Sequence, residues 1–266
     1  MVSISTIIVI VLLVCVGVYL ILRTQATSQS FCFPHKNHTK SALDEYLPML
    51  VHDRAKQVQL LHMLRRVGVA LESANIKYWM MAGNLLGYVR HGGLIPWDDD
   101  IDLAIDSAQT GQVLALKDML ERDHKLTVSR RRSGLLKIYA LNTDGEVDRK
   151  TFIDIFTFTN HGKGIYTQDD IFFHGKFQKS DIEVLKKIEM QNVSTYVPSN
   201  SDFYLRANFG PDWATQLYVR PHHDTSYVCQ RYGGYTVKNN ERMAAVIREV
   251  VQQVAQDYTE DLAAST

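Results

Sequence analysis

The sequence has few cysteines, no excess of charge of either sign and no low-complexity tract, and each absence excludes a class of protein. Three cysteines in 266 residues are too few for a disulfide scaffold, and they form no CxxC zinc motif. Lys and Arg number 29 and Asp and Glu number 29, which excludes a basic protein that grips nucleic-acid backbones nonspecifically. The 45% hydrophobic content is that of an ordinary globular domain, and we expect no nucleic-acid partner.

One long apolar run lies near the beginning of the chain. Residues 4–22 carry no charge, and a helix of this length nearly matches the hydrocarbon core of a bilayer, about 30 Å. We interpret the run as a signal-anchor transmembrane helix after a short tail (1–3), followed by a stem (23–45) and one domain (46–266). A cleaved signal peptide that ends near residues 24–26 is the alternative.

The signals for the orientation of the chain point in opposite directions. Arg23 follows the apolar run, and the positive-inside rule would place it in the cytosol. Asn37 and Asn192, however, each begin an N-glycosylation sequon. Cys32 and Cys229 would pair in an oxidising lumen or remain two free thiols. On balance the sequence predicts a secretory-pathway protein that is anchored in the membrane by its N-terminal helix, with the domain in the lumen.

The apolar periodicity of the remaining chain predicts a mixed α/β domain with helices packed against one sheet. Turn residues at 142–145 join two of the expected strands. The expected helices cover about 52–75, a stretch from Ser107 onward and 239–257, and the expected strands cover 76–81, 100–105, 135–141 and 147–158.

The most informative stretch is acidic. Residues 96–102 read Pro-Trp-Asp-Asp-Asp-Ile-Asp, and acidic and apolar residues alternate after Asp100 as in a half-buried strand. Asp100 and Asp102 would then share one face, where two carboxylates repel each other unless a divalent cation lies between them. Because Mg²⁺ binds one or two carboxylates together with substrate phosphates, the stretch predicts a metal site for phosphate transfer. Asp98 is the alternative ligand, and a solvated acidic loop is the alternative interpretation.

Two further charged residues lie in strands that are otherwise apolar. Asp154 lies within Phe152–Phe158, where an unpaired charge costs several kcal/mol. We expect Asp154 to be a third metal ligand, a general base, or the partner of a nearby Lys or Arg. Lys137 is expected either to contact substrate phosphates or to pair with Asp154.

A glycine turn precedes the acidic stretch and opens a helix. Backbone N–H groups at such a helix start favour phosphate, and Gly83 would let the chain approach a ligand closely. Asn84 is expected to cap the helix or to bind a phosphate oxygen. Arg90 is expected either to bind a phosphate with two hydrogen bonds or to form a surface ion pair.

Residues 83–102, which read GNLLGYVRHGGLIPWDDDID, resemble the central motif of the LicD family. That family includes bacterial phosphocholine transferases and the animal proteins fukutin and fukutin-related protein. The resemblance extends over about residues 60–213 and includes Phe152–Phe156 and Phe209–Trp213. Two features depart from the family: Asn84 stands where Thr or Ser is usual, and the cysteine cluster of the zinc-binding animal member is absent.

The resemblance implies a nucleotidyltransferase-like fold and a Mg²⁺- or Mn²⁺-dependent phosphotransferase. Its donor would be CDP-linked, and its acceptor would be a hydroxyl group of a glycan or glycoprotein. The group transferred would be of the phosphocholine or phospho-alditol type. Asp100 and Asp102 match the family's metal-binding pair, and Asp154 matches its third carboxylate.

The expected location is the Golgi or endoplasmic reticulum membrane, as a single-pass type II protein with a lumenal catalytic domain. Two other functions are left open by the sequence. One is an inactive, membrane-anchored member of the family that binds glycans or serves as a scaffold. The other is a nucleotidyltransferase that uses CTP and releases pyrophosphate.

Overall fold

The computed structural model of the protein describes residues 54–162, 165–168, 176–182, 184–219, 235–238 and 241–265. Several predictions fall outside these ranges: the membrane anchor (4–22), the stem (23–45), the Asn37 sequon, and both Cys32 and Cys229. Across the part of the chain that is described, no helix is long and apolar enough to cross a membrane.

Eighteen helices and strands make up the described part of the chain, together with one turn of 3-10 helix at Ser107–Gln109. The helices are α1 (Arg54–Ser73), α2 (Ala82–His91), α3 (Thr110–Ala115), α4 (Lys117–His124), α5 (Lys179–Ile182), α6 (Ser201–Phe209) and α7 (Glu241–Ala264). The strands are β1 (Tyr78–Met80), β2 (Ile101–Asp106), β3 (Leu126–Arg130), β4 (Leu136–Leu141), β5 (Val147–Asn160), β6 (Ile165–Gln168), β7 (Lys176–Gln178), β8 (Leu185–Met190), β9 (Val193–Pro198), β10 (Gln216–Val219) and β11 (Tyr235–Lys238).

The main sheet has the strand order β1-β2-β5-β4-β3. Strand β6 pairs with the C-terminal end of β5, and β7 pairs with β6. Strands β2 and β5 are parallel, whereas the other neighbouring strands of this sheet are antiparallel. The register places Asp102 opposite Asp154 and Asp154 opposite Lys137. The pairs β8–β9 and β10–β11 form two separate hairpins.

One face of the sheet belongs to the hydrophobic core. Ile101 and Leu103 of β2 and Ile153 of β5 are fully buried, and they share a core cluster with the apolar face of α1. Burial of each large apolar side chain contributes about 1.5–3 kcal/mol. Because side chains alternate along a strand, Asp102 and Asp154 project from the opposite face of the same two strands.

Local sequence explains where the elements next to the site begin and end. Helix α1 ends at Ser73, and Asn75 then takes a left-handed conformation with φ of 56°, which Asn tolerates better than most residues. Helix α2 ends at His91, and Gly92, which follows it, has a φ of 81° and donates its backbone N–H to Tyr88 O. The mixed α/β sheet with packed helices confirms that part of the fold prediction.

Two boundaries differ from the sequence prediction. Strand β2 begins at Ile101, so Asp100 lies just before the strand rather than inside it. Gly83 is the second residue of α2 rather than part of a turn before it. Strand β3 and the hairpin β8–β9 were not predicted.

Candidate active site

Three carboxylates from two parts of the chain converge on the face of the β2–β5 pair that is opposite the hydrophobic core. Asp100, Asp102 and Asp154 each place an oxygen within 4.8 Å of the others. Asp100 and Asp154 are buried, whereas Asp102 is half-buried. Three oxygen donors at this spacing, with no competing sulfur or imidazole in the group, suit a hard cation such as Mg²⁺ or Mn²⁺.

The electrostatics of the cluster also fit a cation. Burial raises the pKa of Asp102 well above its usual range, and the neighbouring charges of Asp100, Asp98 and Asp154 raise it further. Lys137 opposes this effect. A divalent ion would neutralise the repulsion that makes the ionised form of Asp102 costly. These residues therefore have both the donor atoms and the unbalanced negative charge that a divalent metal requires.

A second group of carboxylates continues the cluster upstream. Asp98, Asp99 and Asp100 also place their oxygens within 4.8 Å of one another. Lys56 of α1 lies 3.6 Å from Asp99 Oδ2, so a cation of the chain itself already faces this group. Asp98 remains the alternative metal ligand that the sequence suggested.

Lys137 pairs with Asp154, which is one of the two roles expected for it. Its Nζ lies 2.7 Å from Asp154 Oδ1 and 2.9 Å from Oδ2. The same ammonium lies 3.5 Å from the centroid of the Phe152 ring, a favourable cation–π geometry. Lys137 therefore offsets the charge of the third carboxylate and fixes its orientation. A phosphate contact by Lys137 stays a prediction.

Gly83 meets a carboxylate of the chain itself. A Cβ atom at position 83 would lie 2.6 Å from Asp98 Oδ2, so any other residue would require the Asp98 carboxylate to move. The preceding residue, Ala82, has a φ of 46°, a left-handed conformation that costs a residue with a Cβ about 1–2 kcal/mol. The expected phosphate position at the start of α2 therefore lies beside Asp98, and a bound phosphate would need that carboxylate to be neutralised or moved.

The Asn84 side chain forms hydrogen bonds with the backbone of the acidic stretch. Its side chain is fully buried, and Nδ2 donates to Asp100 O at 3.2 Å while Oδ1 accepts from Asp102 N. Both ends of the amide are thus used, one on each of the paired carboxylate residues. A direct phosphate contact by Asn84, as the sequence suggested, would require these two bonds to break.

Arg90 lies at the opposite end of α2, about 10 Å along the helix axis from Gly83. It donates from Nε to His91 Nε2 at 3.0 Å and from Nη1 to Trp213 O at 3.1 Å. Burial lowers the pKa of Arg90 to about 10, and burial together with the charges of Arg90 and Arg248 lowers the pKa of His91 to about 3. These contacts tie α2 to the segment after α6 and place Arg90 away from the three carboxylates.

Two buried glutamines that the sequence analysis missed hold the loop between α2 and β2. Gln57 of α1 donates from Nε2 to Ile95 O at 2.8 Å. Gln191, in the turn between β8 and β9, accepts from Leu94 N at 2.8 Å and donates to Val251 O at 3.0 Å. Gln57 could have been found, since it lies on the apolar face of α1. Nothing in the local sequence marks Gln191.

Asn192, the sequon residue within the described part of the chain, lies next to Gln191. It is exposed and has a φ of 65°, and its Nδ2 donates to Thr259 Oγ1 of α7 at 2.9 Å. Its use as a glycosylation site stays a prediction.

Comparison with known proteins extends these observations. Residues 75–200 match the family model described as LicD/FKTN/FKRP, nucleotidyltransferase domain. An uncharacterized protein of Rickettsia prowazekii is 29% identical over 74% of this chain and 71% of its own length. A second rickettsial protein, from Rickettsia typhi, is 27% identical over 74% of this chain and 60% of its own length.

Relatives with a named activity match shorter parts. The human ribitol 5-phosphate transferase FKRP is 49% identical over 51 residues, which cover 19% of this chain and 10% of that protein. The mouse ribitol-5-phosphate transferase FKTN is 25% identical over 62% of this chain and 34% of its own length. A lipopolysaccharide cholinephosphotransferase of Haemophilus influenzae is 42% identical over 19% of each chain. The matched parts of this chain therefore span 34% or less of the relatives whose activity is named.

Two solved structures align with this chain at low identity. The lincosamide adenylyltransferase LnuA aligns at 16% identity with a TM-score of 0.32, over 62% of this chain and 82% of its own. The antibiotic-resistance factor ANT(2")-Ia aligns at 17% identity with a TM-score of 0.37, over 77% of this chain and 98% of its own. These scores are too low to support an inference.

Proposed function

We propose that this chain is a metal-dependent transferase, because its residues 75–200 match the LicD/FKTN/FKRP family model and the relatives with named activities are transferases of phosphorylated groups. It moves a phospho-substituent, of the phosphocholine or phospho-alditol type, from a CDP-linked donor to a hydroxyl group of a glycan. The observation that supports this proposal most directly is the convergence of Asp100, Asp102 and Asp154 within 4.8 Å.

Asp100, Asp102 and Asp154 are the residues that would hold Mg²⁺ or Mn²⁺. When bound, such an ion supplies positive charge that offsets the charge developing on the leaving phosphate. The protein's own contribution is to fix the ligands: Asn84 bonds the backbone of Asp100 and Asp102, and Lys137 holds the Asp154 carboxylate. Such preorganisation is the main source of catalysis in phosphoryl transfer.

The proposed reaction balances as a displacement at the distal phosphorus of the donor. The acceptor oxygen forms a bond to that phosphorus, and the bond from phosphorus to the bridging oxygen of the diphosphate breaks. CMP leaves with the bridging oxygen and its electron pair. The proton of the acceptor hydroxyl passes to Asp154 where this carboxylate serves as general base rather than as a third metal ligand, the two roles that the sequence predicts for it.

A screen of CDP-linked donors tests the proposal. The purified chain is incubated with CDP-choline, CDP-ribitol or CDP-glycerol, a mixture of candidate glycans, and Mg²⁺ or Mn²⁺, and CMP release is followed. We expect release with at least one donor, and we expect a chelator to abolish it. Because the site depends on the ion for charge balance, activity that persists in the chelator would contradict the assignment.

The same screen separates the two other functions. Release of pyrophosphate from CTP, without CMP release from any CDP-linked donor, would indicate a nucleotidyltransferase. Glycan binding that neither metal nor CDP affects, without turnover, would indicate a binding or scaffold protein. A location in the Golgi or endoplasmic reticulum membrane remains part of the proposal and is tested by imaging the tagged full chain and by glycosidase digestion.

A further inference from the structure

Lys137 contacts both oxygens of one carboxylate in the candidate active site. Its Nζ lies 2.7 Å from Asp154 Oδ1 and 2.9 Å from Oδ2. The Lys137 side chain is 13% exposed and that of Asp154 is 9% exposed, so water screens the attraction between the two charges only weakly. A second cation that binds Asp154 therefore has to compete with this contact.

The register of the main sheet places Asp154 between a lysine and a second carboxylate. Asp154 of β5 pairs with Lys137 of β4 on one side and with Asp102 of β2 on the other. Side chains that lie directly opposite each other on neighbouring strands share a face of the sheet. The Asp154 carboxylate is thus held between a cation of the chain itself and the position where a divalent ion would be bound.

One ammonium cannot balance the charge of this face of the sheet. Asp100, Asp102 and Asp154 place oxygens within 4.8 Å of one another. Among the described residues, no Lys, Arg or His nitrogen lies within 4.0 Å of an Asp102 oxygen. Lys137 therefore offsets only part of the negative charge in the metal-free protein, and a divalent cation, with its higher charge, would offset more of it.

A divalent ion and the Lys137 ammonium would compete for Asp154. Mg²⁺ binds oxygen at about 2.0–2.1 Å, so an ion on Asp154 Oδ1 would lie at most about 5 Å from Lys137 Nζ. Like charges at this distance, with little solvent between them, repel each other strongly. Because the ion also gains Asp100 and Asp102 as ligands, we expect the ammonium to be the cation that moves.

The surroundings of Lys137 allow such a movement. A lysine ammonium lies at the end of a flexible four-carbon stem, and Lys137 Nζ lies 3.5 Å from the centroid of the Phe152 ring. A cation stays attracted to an aromatic ring out to about 6 Å, so the ammonium can leave Asp154 and still contact Phe152. On its other side, Lys137 pairs with Ser129 of β3, a small and exposed residue. The movement therefore needs no change in the core.

We propose that Lys137 is a positioning residue that substitutes for the divalent cation at Asp154 in the metal-free protein and leaves this carboxylate when the ion binds. The proposal rests on the metal site of the proposed function, but on neither the donor nor the acceptor. Lys137 keeps the Asp154 carboxylate beside Asp102 until the ion replaces it. Lys137 also lowers the metal affinity of the site, because metal binding has to break the contact between Lys137 and Asp154.

Calorimetric titration of the metal-free, full-length chain with Mn²⁺ tests this proposal. Lys137→Met removes the charge and keeps a long side chain, and we expect it to tighten Mn²⁺ binding at least about tenfold. Lys137→Arg retains a cation that can bind both oxygens of a carboxylate, so its affinity for Mn²⁺ should be no higher than that of the unmodified protein. The matched control is Lys150→Met, which removes an exposed lysine of the strand that carries Asp154 and should change the affinity less than about twofold.

Two results of the titration would overturn the proposal. One is an Mn²⁺ affinity that is unchanged or weaker in Lys137→Met, which would show that Lys137 aligns Asp154 for the ion and stays in place. The other is an equal gain in Lys137→Met and Lys150→Met, which would show only a general attraction of the ion to a less positive protein. A role of Lys137 in folding alone would not tighten metal binding, so the sign of the change separates a structural role from the proposed one.

A measurement on the unmodified protein decides the question if Lys137→Met does not fold. The Lys137 ammonium is observed by ¹⁵N NMR of lysine-labelled protein, and its signal is assigned by its loss in Lys137→Arg. We expect the exchange of its protons with water to become at least severalfold faster when Mg²⁺ is added, because the contact with Asp154 that protects them is broken. Exchange that stays equally slow at saturating Mg²⁺ would overturn the proposal.

The readouts distinguish this proposal from the proposed function. Mn²⁺ binding that Lys137→Met does not tighten would overturn the role of Lys137 and leave the transferase intact. Mn²⁺ binding that Lys137→Met tightens, without CMP release from any donor, would support the role of Lys137 and contradict the transferase. If neither the unmodified protein nor Lys137→Met binds Mn²⁺, the metal site itself is wrong and both proposals fail.

Discussion

The two faces of strands β2 and β5 differ in almost every physical property although they share one backbone. On the inner face, Leu103 and Ile153 are fully buried and pack into the core with α1. On the outer face, Asp102 and Asp154 lie opposite each other in the register and carry charges that repel. The comparison teaches that the inner face supplies the free energy needed to hold an outer face that is unfavourable by itself.

The largest effect is expected on the inner face. Leu103→Ala removes a fully buried side chain and should lower the free energy of unfolding by about 2–5 kcal/mol. Denaturation in urea measures it. Val147→Ala, at an exposed position of β5, is the control and should change stability by less than about 0.5 kcal/mol. Equal effects of the two substitutions would show that the inner face is not where the stability lies.

On the outer face we expect a loss of activity without a loss of stability. Asp102→Asn should reduce CMP release at least about a hundredfold, or roughly 2.7 kcal/mol, because it removes a proposed metal ligand. Without metal, the Asp102→Asn variant should be as stable as the unmodified protein or more stable, because the substitution removes a carboxylate whose pKa burial and its neighbours raise.

The matched control for Asp102→Asn is Asp106→Asn on the same strand. Asp106 Oδ1 accepts from Ala108 N, and Asn serves equally well at such a capping position. We expect full CMP release from this control. Normal turnover by a folded Asp102→Asn protein would reject the proposed site.

A smaller effect is expected for Gln191, which holds the loop that precedes β2. Gln191→Ala should lower the free energy of unfolding by about 1–3 kcal/mol, because Leu94 N and Val251 O lose their partner in a buried place. Gln256→Ala, an exposed glutamine of α7 bonded to Glu260, is the control. If the two substitutions cost the same, Gln191 does not secure the loop.

The smallest effect is a difference in pH dependence. The folded-state pKa of Asp102 is raised, so the folded protein binds this proton more tightly than the unfolded chain, whose value is about 3.9. The contribution of Asp102 to stability is therefore present below that value and is lost as pH rises through the raised folded pKa.

Urea denaturation of the metal-free protein at several pH values measures this difference. As pH rises above about 4, the unmodified protein should lose stability relative to Asp102→Asn. Added Mg²⁺ should reduce the loss, because a cation favours the ionised carboxylate. A difference that is independent of pH would show that Asp102 titrates normally.

The sequence predicted the parts of the site that depend on strand alternation. Asp102 and Asp154 stand out because charged residues interrupt apolar strands, and the structure places them opposite each other. The sequence could not show how the backbone around Asn84 and Arg90 folds. The Asn84 amide is used by the backbone of Asp100 and Asp102, and Arg90 contacts Trp213 from the far end of α2.

Long-range partners were beyond the reach of local patterns. Gln191 lies in a turn remote in sequence from Leu94, and no periodicity connects the two. Arg149 approaches Tyr139 because the register between β4 and β5 shifts there, which a regular alternation would not predict. The metal, the donor and the acceptor stay predictions because they depend on molecules outside the chain.

The parallel pairing of β2 with β5 has a consequence for how the protein matures. Two helices and two strands lie between Asp102 and Asp154 along the chain, so their approach is a non-local contact, of the kind that forms slowly. A nascent chain released before β5 carries the acidic motif without its third carboxylate. Metal affinity would therefore appear only after the chain between β2 and β5 has folded and the two strands have paired.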